Sequence, residues 1–210
     1  MSEPLEEPTE KLYYDALSVA RRTSQKIHHV NEHDKNALLA YLIKKYSYEN
    51  VIVITKTKRE ADALASYLQD QGIKARAIHG NKSSKECTQA TQEYNNSEVD
   101  VLITTDMILL SQEFTSINHM ISYNIPLEPK HYYARLECMH EKGEGIAFVS
   151  EEEEHLMFAI EVAMKVEILQ EEVEGFETSP QPQKKVKDKT KKLRHKKTKS
   201  KKEKKGKEEA

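Results

Sequence analysis

Val51-Ile52-Val53-Ile54 is an unbroken apolar, β-branched run closed by Thr55. A strand with one face in water alternates apolar and polar residues. A strand apolar at every position has to be covered on both faces, as in a parallel sheet clothed by helices. Further strands are predicted at KARAIH (74–79), DVLITT (100–105), HMISYN (119–124) and GIAFV (145–149), with the alternating SQKIHHV (24–30) ahead of them. Helical spacing fills the intervals. Asp34 is placed to cap a helix whose apolar face is Ala37, Leu38, Tyr41 and Leu42. READALASYLQDQG sets Ala61, Leu64, Ala65 and Leu68 on one stripe and stops at Gly72. Another helix starts near Ser83 or Ser84, a helical turn lies near 129–139, and a helix over 151–165 closes the domain. Strands separated by helices make βαβ units, so the fold class is α/β with a parallel sheet and helices on both faces. Such sheets take ligands at the carboxyl ends of their strands. The loops after residues 55, 79 and 105 should therefore line one functional edge.

The charge is split sharply along the chain. Residues 183–210 hold 15 Lys/Arg against 4 Asp/Glu, whereas residues 1–182 hold 18 against 31. A block like the first repels itself, is expected to be disordered, and attracts polyanions through counterion release. TSPQPQ, with two prolines, is a linker into it. Segment 151–177 carries ten Glu against one Lys and offers an acidic surface. Residues 1–22 read as a polar leader, helical through Tyr13–Arg22, and residues 23–177 as the folded domain. The start MSEPLEEPTE is not a signal peptide, and no apolar run reaches the roughly 18 residues of a membrane span, so a soluble cytoplasmic protein without membrane contact is expected. LRHKK would serve as a nuclear-import signal in a eukaryote. Cys87 and Cys138 form no CxxC, and the nine histidines show no metal-ligand spacing, so neither a metal nor a disulfide framework is expected.

Several ordered blocks resemble the C-terminal RecA-like domain of DEAD-box RNA helicases. VIVITKTKREADALASYL is similar to that family's motif IV strand and helix, and GIKARAIHGNKS to its next strand and HG turn. DVLITTD resembles the entry to motif V, MISYNIPLEPKHYYAR the segment leading into motif VI, and EEVEGFE the acidic Gly-Phe ending. The resemblance covers roughly 23–177 and implies a RecA-like parallel sheet. No GxxxxGK(S/T) and no D-E-A-D run occurs, so the phosphate-binding half of such a helicase is missing from these residues.

The family's arginines are also replaced. Where motif V continues Arg-Gly-x-Asp, this sequence has Leu110, Ser111, Gln112 and Glu113. Where motif VI has His-Arg-x-Gly-Arg-x-Gly-Arg, it has Ala134, Arg135, Leu136, Glu137, Cys138, Met139, His140 and Glu141. Only Arg135 survives as a residual nucleotide-site arginine, and Cys138 stands at the arginine-finger position. Such a finger contributes on the order of a thousandfold or more in rate. No catalytic residue and no ATP cofactor are therefore expected, except in trans with a partner.

What the resemblance implies for RNA is a phosphate-gripping edge at Thr57, Lys58, Arg59, His79, Gly80, Thr105 and Asp106. The residues themselves also admit plainer roles. Gly80 supplies a turn, Thr105 and Asp106 cap the next segment, and Lys58 and Arg59 are solvated. Both cysteines read as inert thiols. Two functions are expected to compete. One is an ATP-independent RNA-binding protein with affinity drawn largely from the basic tail and no sequence specificity. The other is a protein-interaction module or trans-acting accessory half of a DEAD-box RNA helicase.

Overall fold

Val51 and Val53 pack into one hydrophobic layer while Ile52 and Ile54 pack into the other, so successive residues of one strand serve two cores. The computed structural model describes Ser18 and residues 23–139 and 143–179. Most of the predicted helix Tyr13–Arg22, together with Glu141 and the lysine-rich segment 183–210, lies outside the described residues.

The strands are β1 (Ser24–His29), β2 (Val51–Ile54), β3 (Ala75–Ala77), β4 (Val101–Thr104), β5 (His119–Ser122), β6 (Glu144–Val149) and β7 (Leu169–Gln170). They form one sheet in the order β3-β4-β2-β5-β6-β1-β7, and every pairing is parallel. The helices are α1 (Lys35–Tyr46), α2 (Lys58–Asp70), α3 (Ser84–Asn95), α4 (Asp106–Leu109), α5 (Pro129–Glu137) and α6 (Glu154–Met164). Helices α1 and α2 cover the face that presents Val51, Val53, Val101 and Ile103. Helices α3, α5 and α6 cover the face that presents Ile52, Ile54, Leu102 and Met120. Each fully buried Leu, Ile or Val contributes about 1.5–3 kcal/mol, and these strands bury such residues on both faces.

The α2 stripe Ala61, Leu64, Ala65 and Leu68 is buried as its spacing predicts, and the turn after Asp70 passes through Gly72. Ser83 begins α3 with a capping box, its side chain accepting from Glu86 N–H while Glu86 accepts from Ser83 N–H. The predicted helix 151–165 is a 3-10 turn over Glu151–Glu153 followed by α6. Strand β7, only two residues long, has no signal in the pattern.

Helix α1 departs from expectation at two points. Its buried face is Leu38, Leu39, Ala40, Leu42 and Ile43, while Ala37 and Tyr41 are only half-buried. Tyr41 instead meets the chain after β7: its hydroxyl donates to Glu174 O at 3.0 Å and its ring lies 5.6 Å from that of Phe176. Asp34 occupies the N-cap position without making a side-chain cap hydrogen bond. Its carboxylate is used on Ser179, accepting from Oγ at 2.5 Å and from N–H at 2.9 Å.

Candidate nucleic-acid interface

Because every strand runs the same way, all carboxyl ends reach one edge of the sheet. Neighbours β3, β4 and β2 deliver the loops at 78–81, 105–106 and 55–59 side by side. Thr55 ties two of them together, its buried hydroxyl donating to Thr104 O at 3.3 Å. Thr57 then caps α2 by accepting from Glu60 N–H at 3.1 Å. This directs the first-turn N–H groups of α2 toward the edge, where an anion is favoured.

Arg59 is exposed, and no ion pair holds it among the described residues. Lys58 is half-buried and reaches across to the β3 loop, donating to Asn81 Oδ1 at 2.8 Å. Gly80 lies under that ammonium: a Cβ there would sit 3.3 Å from Lys58 Nζ. The φ of Gly80 is not positive. Gly80 stands in the turn expected there, closed by Lys82 N–H on His79 O at 2.9 Å, and it also leaves clearance for Lys58.

His79 points inward. It is 2% exposed, and its Nδ1 accepts from Asn81 N–H at 3.3 Å. Its Nε2 lies 2.9 Å from Asp62 Oδ2. Lys82 meets the other Asp62 oxygen at 3.2 Å. Burial alone would raise the Asp62 carboxyl, but the hydrogen bonds from His79 and Lys82 outweigh it and hold the group below its ordinary range. His79 thus clasps the β3 loop to α2. Any part it takes in binding is through the shape of the HG turn, since both ring nitrogens face protein.

Thr105 is half-buried at the N-cap of α4, and its hydroxyl makes no cap hydrogen bond there. Asp106, next to it, faces α5. Its Oδ1 accepts from Arg135 Nε at 2.6 Å and its Oδ2 from Nη2 at 2.9 Å, while Nη1 donates to Asn124 O at 2.9 Å. Arg135 is 2% exposed. The residual arginine is enclosed, with three of its five N–H donors engaged on three protein oxygens. Cys138, at the end of α5, donates to Ala134 O at 3.3 Å, and burial pushes its thiol up to about 11.

The edge also contains groups that sequence reasoning passed over. Lys56 is exposed, with its N–H held by Asn124 Oδ1 at 2.8 Å. Lys56, Thr57, Arg59 and Asn124 line a cleft of about 650 Å³ together with Glu60 and Glu153. A second cleft, of about 390 Å³, lies between α4 and the chain after β5, floored by Asp106 and Arg135. Met107 (70% exposed), Leu110 (59%) and Leu127 (70%) stand around it. The lone signal for this patch was Leu110 at a position where an arginine was expected.

Residues 34–143 match the helicase conserved C-terminal domain. The chain belongs to that family. The DEAD-box ATP-dependent RNA helicase RhpA of Helicobacter pylori is 24% identical over 144 residues, covering 65% of this chain and 29% of RhpA. The chain thus spans under a third of the length of the curated relatives it matches. A DEAD box protein from the hyperthermophile Methanococcus jannaschii superposes with a TM-score of 0.68 at 29% identity, covering 73% of this chain and 43% of that one. Escherichia coli SrmB bound to RraA (TM-score 0.69, 19% identity, 75% and 98% covered) shares the fold. So does Saccharomyces cerevisiae Dbp5 bound to RNA and ADP BeF3 (0.66, 21%, 71% and 41%). The helicase-domain chain is therefore a RecA-like α/β domain of DEAD-box type. No helix among its described residues is long and apolar enough to cross a membrane.

Proposed function

We propose that this helicase-family domain binds RNA through its carboxyl edge without hydrolysing ATP, acting in the cytoplasm or, in a eukaryote, the nucleus. The observation that carries the reading is the pairing of an open phosphate-type edge with a closed arginine. Thr57, Lys58, Arg59 and Thr105 present hydroxyls, ammonium and guanidinium groups along the adjacent β2 and β4 ends. These groups suit a sugar-phosphate backbone and read no base. Arg135, by contrast, is 2% exposed and commits three of its five N–H donors to Asp106 and Asn124, which turns it away from a transferring phosphoryl group. Leu110 and Cys138, at two further arginine positions, are uncharged at neutral pH. The segment 183–210 supplies most of the affinity, since each lysine that neutralises a phosphate releases counterions.

The test is binding to labelled single-stranded RNA across a salt series, with the full chain and a version ending at residue 182. Retained binding by the shorter chain, weakened by Thr105→Ala, supports the edge. Loss of all binding with the tail refutes it.

A second reading has its own observation. Met107, Leu110 and Leu127 form an exposed apolar rim around the 390 Å³ cleft, as an interaction module or the accessory half of a helicase needs. Nuclease-resistant co-purification of a helicase-like ATPase, lost on Leu110→Asp, supports this reading. A partner ATPase rate that rises when the intact chain is added would establish action in trans.

A further inference from the structure

Ser179 precedes Pro180, and no other serine or threonine in the chain is followed by proline. The residue is exposed, yet its hydroxyl is committed: Oγ donates to Asp34 Oδ1 at 2.5 Å and its N–H to Oδ2 at 2.9 Å. Asp34 is itself 6% exposed, with His33 Nε2 lying 3.4 Å from Oδ2. The adjacent Lys35 is fully buried and already shared by Glu32 and Glu153.

The clasp closes a strap. From β7 the chain runs back over α1, held by Glu171 N–H on Ile27 O at 2.9 Å, His28 Nδ1 on Glu171 O at 2.7 Å and Tyr41 on Glu174 O at 3.0 Å. Gly175, at φ +81, turns where a Cβ would lie 2.6 Å from the Tyr41 hydroxyl. His28, Leu38, Val173 and Phe176 line a cleft of about 540 Å³ beneath the strap.

We propose that Ser179 is a phosphorylation site for a proline-directed serine kinase, and that phosphate and clasp exclude each other. In the reaction Ser179 Oγ attacks the γ-phosphorus of ATP held by the kinase. The new Oγ–P bond forms as the bond to ADP breaks, and the hydroxyl proton leaves to a base of the kinase. Two consequences act in the same direction. Oγ no longer has a hydrogen to give Asp34, and a charge of about −1.5 to −2 now faces a buried carboxylate. No unpaired lysine or arginine stands among the described groups at the clasp to compensate. The strap's end is released, uncovering Phe176 and the cleft beneath it.

The experiment incubates the full chain with a purified proline-directed kinase and ATP, maps phosphate by mass spectrometry, and follows amide exchange. Phosphate on Ser179, with the Ser179 and Phe176 amides exchanging at least tenfold faster than in unmodified protein, is the expected result. Asp34→Ala should show the faster exchange before any kinase is added and little further change after it. Ser179→Ala should leave strap exchange indifferent to the kinase, which keeps the test decisive if the Asp34 variant fails to fold. Absence of phosphate at Ser179 in the wild-type chain, or phosphate with unchanged strap exchange, overturns the proposal.

Discussion

The Asp106 carboxylate and the Arg135 guanidinium form a two-point ion pair, 2.6 and 2.9 Å long, that locks α4 to α5 beneath the carboxyl edge. The third contact of Arg135, to Asn124 O, draws in the chain after β5. One buried arginine therefore sets the spacing of three segments, and Thr105 owes its position at the edge to the residue beside it.

Removing either partner strands the other. Asp106→Ala leaves a guanidinium at 2% exposure with one carbonyl for company and should cost about 3–5 kcal/mol in urea unfolding. Arg135→Ala should cost less, because the Asp106 side chain it leaves behind is 32% exposed and can be solvated. The double variant should lose clearly less than the two single losses added together, and strict additivity would show that the pair is not coupled.

Glu153 gives stability a pH signature. Burial pulls its carboxyl upward, but the Lys35 ammonium and the N–H groups of Ile125 and Ser150 prevail and hold it below its ordinary 4.5. A depressed folded value means stability that is fully present above the unfolded value and is lost as pH falls through the folded one. Glu153→Gln should thus be most destabilising at neutral pH, and its gap from wild type in urea midpoint should close below about pH 4.5.

Lys58 and Gly80 test the edge from two sides. Lys58→Ala should weaken RNA binding by the chain ending at residue 182 and lower the salt slope by about one. Gly80→Ala should move the Lys58 ammonium, whose Nζ would meet the new methyl at 3.3 Å, and reproduce part of that loss. Equal salt slopes for wild type and Lys58→Ala, from filter-binding titrations, would remove Lys58 from the interface.

The Cys138 thiol, pushed up to about 11 from 9.0, holds about a hundredfold less thiolate at neutral pH than an ordinary cysteine. Alkylation by iodoacetamide at pH 7.5 should be slow in the folded protein and accelerate on denaturation. Rapid labelling of the native chain would contradict the burial.

The sheet was legible because burial on both faces leaves its mark in composition. VIVIT and DVLITT could be little else than central strands, and the α2 stripe fell where its spacing placed it. What escaped were relationships between residues remote in the chain. Asp34 carries every local sign of a helix cap, yet its partner is Ser179. His79 sits in a loop that suggests ligand contact, but Asp62 on α2 turns it inward. Arg135 reads as a residual nucleotide-site arginine, and its burial depends on Asp106 and Asn124, neither of which a motif can announce.

Strand β1 has a consequence for how the chain is made. Its partners are β6 and β7 alone, so Ser24 finds Glu144 only after all the intervening elements exist. On a ribosome adding about 5–20 residues per second, that wait lasts roughly ten seconds. Through that interval the nascent chain carries an unpaired strand with Ile27 exposed, a natural target for a chaperone at the exit tunnel.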